Sequence, residues 1–356
     1  MWVETMELAD VRNLRDVRLA LDPGLNVFMG RNAQGKTTVL EAVALLARGR
    51  SFRTDEIATV VRRGAAGLTA RGLSRSGERG TALEVEVTAS GRRLRVDGRE
   101  VPPRSYHGRL EVSVYSTDRL KVVRGAMRDR RQYVDRQAGA LWPAYRQALR
   151  EYERVLLQRN ATLQRGGGDL AAWDERLCAV GARLRHRRAC YVERLQQSLA
   201  TGFSPRGERY GIGVAPGRLE TGEAGHEARL REEIEAQKAN EYRAGRSLAG
   251  PHRDPVTLTV DGHAAAEFAS SGQARSLLLA LALASLEVYR TEVGSSAVAL
   301  LDDLDSELDE ERATALCAEV ARRGQALVTT AHEGWARRLG AGGRLFAVED
   351  GRVSAA

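Results

Sequence analysis

The chain has 356 residues, of which 43% are hydrophobic, and a formal net charge of +8. This is enough for a sizeable core and about two domains, and the charge fits a polyanionic partner as well as a merely basic surface. Three scattered cysteines, Cys178, Cys190 and Cys317, speak against a disulfide framework or a zinc site, and the longest apolar run, Leu277 to Leu286, is too short to cross a bilayer. Trp2 to Leu8 and Val17 to Leu21 alternate like paired strands, and the polar N-terminal stretch does not read as a signal peptide, so a soluble cytoplasmic protein is expected.

Leu25 to Met29 reads as a buried strand, and Thr37 to Ala47 as a helix. Between them, Gly30-Arg31-Asn32-Ala33-Gln34-Gly35-Lys36-Thr37-Thr38 is a G-x-x-x-x-G-K-[ST] phosphate-binding loop. Its glycines let successive N–H groups face one anion, Lys36 reaches the β and γ phosphates, and the Thr37 hydroxyl holds Mg²⁺. Lysine occurs only at positions 36, 121 and 238. A basic loop, Arg48 to Thr54, follows the helix. The stretch from Gly64 to Val101 is strand and turn, with a hairpin at Asp97-Gly98, and Leu110 to Tyr115 is a further buried strand.

From Ala126 to Gln164 the pattern is helical. Gly166-Gly167-Gly168 interrupts it, and Asp169 to Ala200 is a second helical stretch, so a helical hairpin is expected. A glycine-rich stretch, Gly202 to Gly225, precedes a helix from Glu227 to Arg246. Pro255 to Val260 is a strand ending in an Asp261-Gly262 turn. The segments are expected to be 1–118 and 247–356 as two halves of one α/β domain, with 119–246 as a mostly helical insertion.

Three further motifs lie toward the C-terminus. Val298 to Leu301 is an apolar strand ending in Asp302 and Asp303. Asp302 is placed to hold Mg²⁺ and Asp303 to orient or deprotonate an attacking water; the alternative is an acidic turn after a core strand. Ser270-Ser271-Gly272-Gln273 opens the helix Ala274 to Tyr289, either as a second anion site or as an ordinary N-cap. Gln325 to Thr330 is a strand ending at Ala331-His332, where a histidine reaches a γ-phosphate or its attacking water, or serves structure alone.

The order of these elements resembles that of ATP-binding-cassette (ABC-type) ATPases: phosphate loop, insertion, signature (Ser270 to Gln273), acidic strand, D-loop (Ser306-Glu307-Leu308-Asp309) and switch histidine (His332). The large insertion points to the branch with SMC-like heads. Over essentially the whole chain, Asn32 to Thr37, Ser51-Phe52-Arg53-Thr54, Gly250-Pro251-His252-Arg253-Asp254, Ser270 to Gln273 and Leu301 to Asp309 resemble the bacterial RecF family.

The resemblance implies an ABC-type ATPase head with an inserted helical lobe and an ATP-dependent homodimer, in which Ser270 of one subunit caps the γ-phosphate held by Lys36 of the other. It also implies ATP-dependent DNA binding, slow ATP hydrolysis, and cooperation with RecR and RecO in placing RecA at single-strand gaps. The sequence departs from the cassette pattern at two places and from the RecF-like Gln-Gln after the signature glycine at a third. Asp303 stands where many cassette ATPases carry Glu, Ser116-Thr117-Asp118 stands where a Q-loop glutamine is expected, and Gln273 is followed by Ala274. Arg50, Arg53, Arg128, Arg130, Arg131 and Arg146 are candidates for DNA contact or plain solubilising charges. Rival readings are a transporter-type subunit, a DNA-binding protein that ATP merely stabilises, and a long-armed SMC head, for which the insertion is too short.

Overall fold

The structure, a computed structural model, describes residues 1–166, 169–304, 308 and 310–356. The chain divides into one unit of Met1–Leu120 with Tyr289–Ala356 and a second of Lys121–Val288. In the first unit, β1 (Trp2–Val11) and β2 (Leu14–Ala20) pair antiparallel with Leu8 opposite Val17, as their alternation predicts. β3 (Leu25–Met29) leads into the glycine loop and α1 (Lys36–Arg48). β4 (Gly67–Ser76), β5 (Arg79–Thr88), β6 (Gly91–Val96) and β7 (Arg99–Glu100) continue the first sheet in the order β2-β1-β4-β5-β6-β7. Positive φ at Asp97 (49°) and Gly98 (77°) makes the expected tight turn between β6 and β7. α2 (Pro103–Tyr106) precedes β8 (Val112–Tyr115).

The second unit begins with α3 (Lys121–Arg124), α4 (Met127–Leu141) and α5 (Pro143–Gln164). The single helix expected over 126–164 is therefore two. Pro143 crowds the backbone before it, and Trp142 takes φ −121° and ψ 104°, ending α4 and starting α5 with proline at its first position. α5 packs on α6 (Ala171–Thr201), and an Arg159–Asp174 ion pair of 2.6 Å ties the end of one to the start of the other, which gives the expected hairpin. β9 (Tyr210–Val214), α7 (Gly222–Ala244), β10 (Val256–Val260), β11 (His263–Ala264), α8 (Ala265–Phe268) and α9 (Ser271–Val293) follow. The boundary expected at 246/247 falls elsewhere, because β10 pairs antiparallel with β9 and the Tyr133 hydroxyl donates to the Leu281 carbonyl at 3.0 Å. These long-range contacts hold 247–288 with the second unit.

Buried arginines organise this unit. Arg185 donates to both oxygens of Asp254 (2.8 and 2.7 Å), and Arg188 donates to both oxygens of Asp135 (2.9 and 3.1 Å) and to the Pro251 carbonyl (2.7 Å). Arg159 also pairs with Glu241 at 2.7 Å. The Gly250 to Asp254 motif is thus a structural junction, in which His252 Nδ1 accepts from the Tyr152 hydroxyl at 2.6 Å and Nε2–H donates to the Ser247 carbonyl.

Burial lowers the pKa of His252 to about 4, and burial together with nearby His186 and Arg185 does the same for His226. The unfolded chain therefore binds protons more tightly than the folded one between pH 6.5 and 4. Stability present above that window is lost as pH falls through it, by about 1 kcal/mol per ring at pH 5.5. Urea unfolding at pH 7.5 and 5.5 checks this, and equal stability at the two values contradicts it.

Back in the first unit, β12 (Val298–Leu301), α10 (Glu310–Arg323), β13 (Ala326–Thr330), α11 (Glu333–Gly340), β14 (Gly343–Glu349) and β15 (Arg352–Ala355) complete a second sheet with the order β15-β14-β3-β13-β12-β8. All of its neighbours pair in parallel except β15, and its central strands are largely apolar and buried, with Asn26 in β3 and Thr329 and Thr330 in β13 as buried polar residues. One core joins residues of both sheets to α1, of whose 13 residues 11 are buried. Each fully buried leucine of α1 contributes about 2 kcal/mol. The α/β class expected from sequence is the one observed.

Candidate functional site

In a parallel sheet the loops that follow adjacent strands share its carboxyl edge. Here β3, β13 and β12 are neighbours, with Thr330 opposite Met29 and Leu301 opposite Val328. The glycine loop, His332 and Asp302 therefore emerge side by side, although the loop, at positions 30–38, is far in sequence from positions 302 and 332.

The loop is set by close approach and by left-handed backbone. A Cβ at Gly30 would lie 2.2 Å from the Val348 carbonyl oxygen, so only glycine fits there. Ala33 (φ 66°) and Gly35 (φ 117°) turn the chain into α1. Lys36 is 4% exposed, and its Nζ donates to the Gly30 and Arg31 carbonyls at 2.9 and 3.2 Å, so the ammonium lies inside the loop. Arg31, Asn32 and Ala33 form the exposed rim, and Thr38 is buried at the start of α1.

Two hairpin turns brace the loop from behind. Asn13, between β1 and β2, donates to the Gln34 carbonyl at 2.9 Å and accepts from the Thr38 hydroxyl at 3.1 Å. The turn between β14 and β15 donates from Asp350 N to Gln34 Oε1 (2.6 Å) and from Gly351 N to the Gln34 carbonyl (3.2 Å). Asn13→Ala is expected to weaken nucleotide binding roughly five- to tenfold, the worth of about one hydrogen bond. Titration with a fluorescent nucleotide measures this, and unchanged affinity contradicts the bracing.

Asp302 is 4% exposed and is held by three hydroxyls: Thr37 and Thr329 donate to Oδ1 at 2.9 and 2.7 Å, and Ser116 donates to Oδ2 at 2.9 Å. Burial pushes its pKa above the usual carboxylate value, while these hydroxyls pull it down. The Thr37 hydroxyl and the Asp302 carboxylate are hard oxygen donors side by side, the chemistry that suits Mg²⁺. Among the described residues no group of three or more His, Cys, Asp and Glu is arranged to hold a metal.

Asp303 follows in left-handed backbone (φ 50°), and its N–H donates to the Thr329 hydroxyl at 3.0 Å. His332 is exposed at the N-cap of α11, with its N–H donating to the Thr330 hydroxyl at 2.9 Å. Of the expected D-loop, Ser306, Glu307 and Asp309 lie outside the described residues.

Behind the loop, Glu41 is fully buried in α1. It accepts from Arg12 at 2.9 and 2.8 Å and from the Ser51 hydroxyl, and Arg53 Nη1 stands 3.7 Å away. Arg53 also donates to Asp118 at 2.6 Å. The Ser51 to Thr54 motif is thus tied to α1 and to the segment that occupies the Q-loop position. Sequence reasoning singled out the loop, Asp302 and His332 but missed Asn13, Glu41 and Thr329, and it left Ser116 and Asp118 without a role. The one available signal was Glu41, the single acidic residue of α1, set in the apolar run from Val39 to Ala47.

In the second unit, Ser270 and Gln273 form a reciprocal cap on α9. Ser270 N donates to Gln273 Oε1 at 2.9 Å, and Gln273 N donates to Ser270 Oγ at 3.2 Å. Ser270 and Ser271 are exposed and Gly272 is half-buried. Of the arginines suggested for DNA contact, Arg53 is paired with Glu41 and Asp118, and Arg130 and Arg131 are engaged within the second unit. Arg130 is buried and donates to the Val123 and Gly125 carbonyls, and Arg131 donates to the Asp254 carbonyl at 3.0 Å. Arg50 and Arg128 are exposed. Among the described residues no helix is long and apolar enough to cross a membrane.

The family model described as RecF/RecN/SMC N terminal domain matches residues 2–354. The DNA replication and repair protein RecF of Synechococcus sp. (strain JA-3-3Ab) is 36% identical over 352 residues, covering 94% of this chain and 92% of that protein. The RecF of Moorella thermoacetica is 33% identical over 340 residues, covering 93% and 90%. A solved structure of the recombination mediator protein RecF-ATP in the RecFOR pathway superposes with a TM-score of 0.91 at 26% identity, covering 100% of this chain and 99% of that one. An Smc head bound to the C-winged helix domain of ScpA matches at a TM-score of 0.59 and 14% identity, covering 100% and 97%, a likeness of fold.

Proposed function

Because the chain belongs to the RecF family of the RecF/RecN/SMC group, we propose that it is an ATP-gated, DNA-binding switch of recombinational repair. The observation that carries this reading is the Thr37–Asp302 hydrogen bond, which joins the phosphate loop to the acidic strand at one sheet edge. The similarity to RecF with ATP bound supports the choice of nucleotide.

In this reading Gly30 to Thr38 wrap the phosphates, with Lys36 on the β and γ groups. Thr37 and Asp302 hold Mg²⁺, which when bound offsets phosphate charge. Asp303 orients the attacking water and His332 faces the γ-phosphate. An aspartate reaches about one methylene less far than a glutamate, so hydrolysis is slow and serves to reset the switch. Ser270, Ser271, Gly272 and Gln273 of a second copy close over the γ-phosphate, so that ATP joins two chains and ADP releases them. Met1–Leu120 and Tyr289–Ala356 form the head, and Lys121–Val288, which carries the Ser270 cap, forms the insertion.

The dimer binds DNA through phosphates, with little sequence preference and a preference for gapped sites. Arg50 and Arg128 are the exposed candidates for contact. RecO and RecR are its partners in loading RecA.

Fluorescence anisotropy of labelled gapped duplex with ATP, with ADP and without nucleotide tests the reading. Tight binding with ATP only is expected. Equal binding in all three conditions returns the rival in which nucleotide merely stabilises a DNA-binding protein.

A further inference from the structure

Among the described residues Phe268 is the most exposed large hydrophobic side chain, at 69%. A single exposed aromatic is ordinary on a protein surface, and Leu157 at 66% is nearly as open. Phe268 differs in where it stands and how it is held. It ends α8, two residues before Ser270, and its ring meets His263 edge-on at 5.9 Å. The backbone that carries it is fixed on both sides. Ala269 N donates to the Ala265 carbonyl at 3.3 Å, Arg124 Nη2 donates to the Ala269 carbonyl at 2.9 Å, and Ser270 N is taken by Gln273. The ring is therefore presented to solvent by an ordered segment at the open face of the α9 cap.

We propose that Phe268 is an apolar anchor for a second copy of this chain, seated beside the opposing phosphate loop when nucleotide is bound; this rests on the sandwich reading of Ser270. Two residues of chain span at most about 7 Å. If Ser270 meets a phosphate held by the opposing Lys36, Phe268 lies within the same contact. The exposed rim of the phosphate loop is Arg31 to Ala33, and a guanidinium suits an aromatic face. Burying the ring in the dimer and exposing it in the monomer makes association sensitive to this side chain, while the nucleotide site of each separate chain is not.

The test is light scattering of the full chain with Mg²⁺ and ATP, comparing wild type, Phe268→Asp, Phe268→Trp and Ser270→Arg. Phe268→Asp is expected to raise the dimer dissociation constant at least tenfold, roughly the loss of one buried aromatic, with fluorescent-ATP affinity of the monomer unchanged. The introduced indole of Phe268→Trp is expected to keep the dimer and shift its emission to the blue on adding ATP but not ADP. Dimerisation of Phe268→Asp at wild-type strength, with Ser270→Arg monomeric, overturns the anchor and leaves the sandwich intact. Indole emission that ignores ATP also overturns it. Dimerisation of Ser270→Arg overturns the sandwich itself, and with it the anchor.

Discussion

Lys36→Met is expected to lower ATP affinity by at least about 100-fold. The Nζ of Lys36 lies among the Gly30 and Arg31 carbonyls, 2.9 and 3.2 Å away, and the side chain is 4% exposed. In that position it is a charged donor aimed at the centre of the loop. Charge-assisted hydrogen bonds contribute about 1.5–3 kcal/mol each, and two phosphate groups draw on this one ammonium. Methionine has nearly the same length and shape, so the loop retains its packing and the loss falls on binding. Calorimetric titration with ATP reads the affinity, and a thermal melt without nucleotide reads the fold. Tight ATP binding by a folded Lys36→Met chain would remove the assignment of the phosphate loop.

Ser270→Arg is expected to abolish ATP-dependent dimerisation and to leave ATP binding by the single chain as it was. The structure makes a simpler explanation available, since Ser270 and Gln273 cap α9 reciprocally and loss of a cap costs about 1 kcal/mol of stability. Ser270→Asp separates the two. Aspartate is as good an N-cap as serine, so α9 is preserved, but its carboxylate repels a γ-phosphate. Both variants are expected to sediment as monomers with ATP. A dimeric Ser270→Asp beside a monomeric Ser270→Arg would make the serine a helix cap and nothing more.

Legibility in the sequence followed the range of the interaction. The strand, loop and helix from Leu25 to Arg48 could be read because their signals are contiguous, and Val298 to Asp302 and Gln325 to His332 stood out as apolar runs ending in polar groups. What holds Asp302 could not be read. Ser116 and Thr329 are ordinary residues whose role depends on strand neighbours 186 and 27 positions away. Asn13 is similarly opaque, because a turn residue acquires its meaning from the loop folded against it. The helix break at Trp142-Pro143 was within reach of local rules, since proline restricts the residue before it.

Arginine was the most misleading residue type. Arg130 sits in a charged helical stretch like any solubilising residue, yet it is buried, as are Arg159, Arg185 and Arg188. Their partners, such as Asp254 for Arg185, come from distant segments. The Gly250 to Asp254 motif was visible only as a family likeness, and its part in that buried network is a property of the fold. The boundary expected at 246/247 failed for the same reason, because β10 takes its partner from the glycine-rich stretch before α7.

The central claim is that ATP and ADP set two different states of association. The most direct measurement is the solution mass of the wild-type chain by light scattering, with Mg²⁺ and either nucleotide. A dimer with ATP and a monomer with ADP is the predicted result. The same mass with both nucleotides, whether monomer or dimer, would contradict the switch.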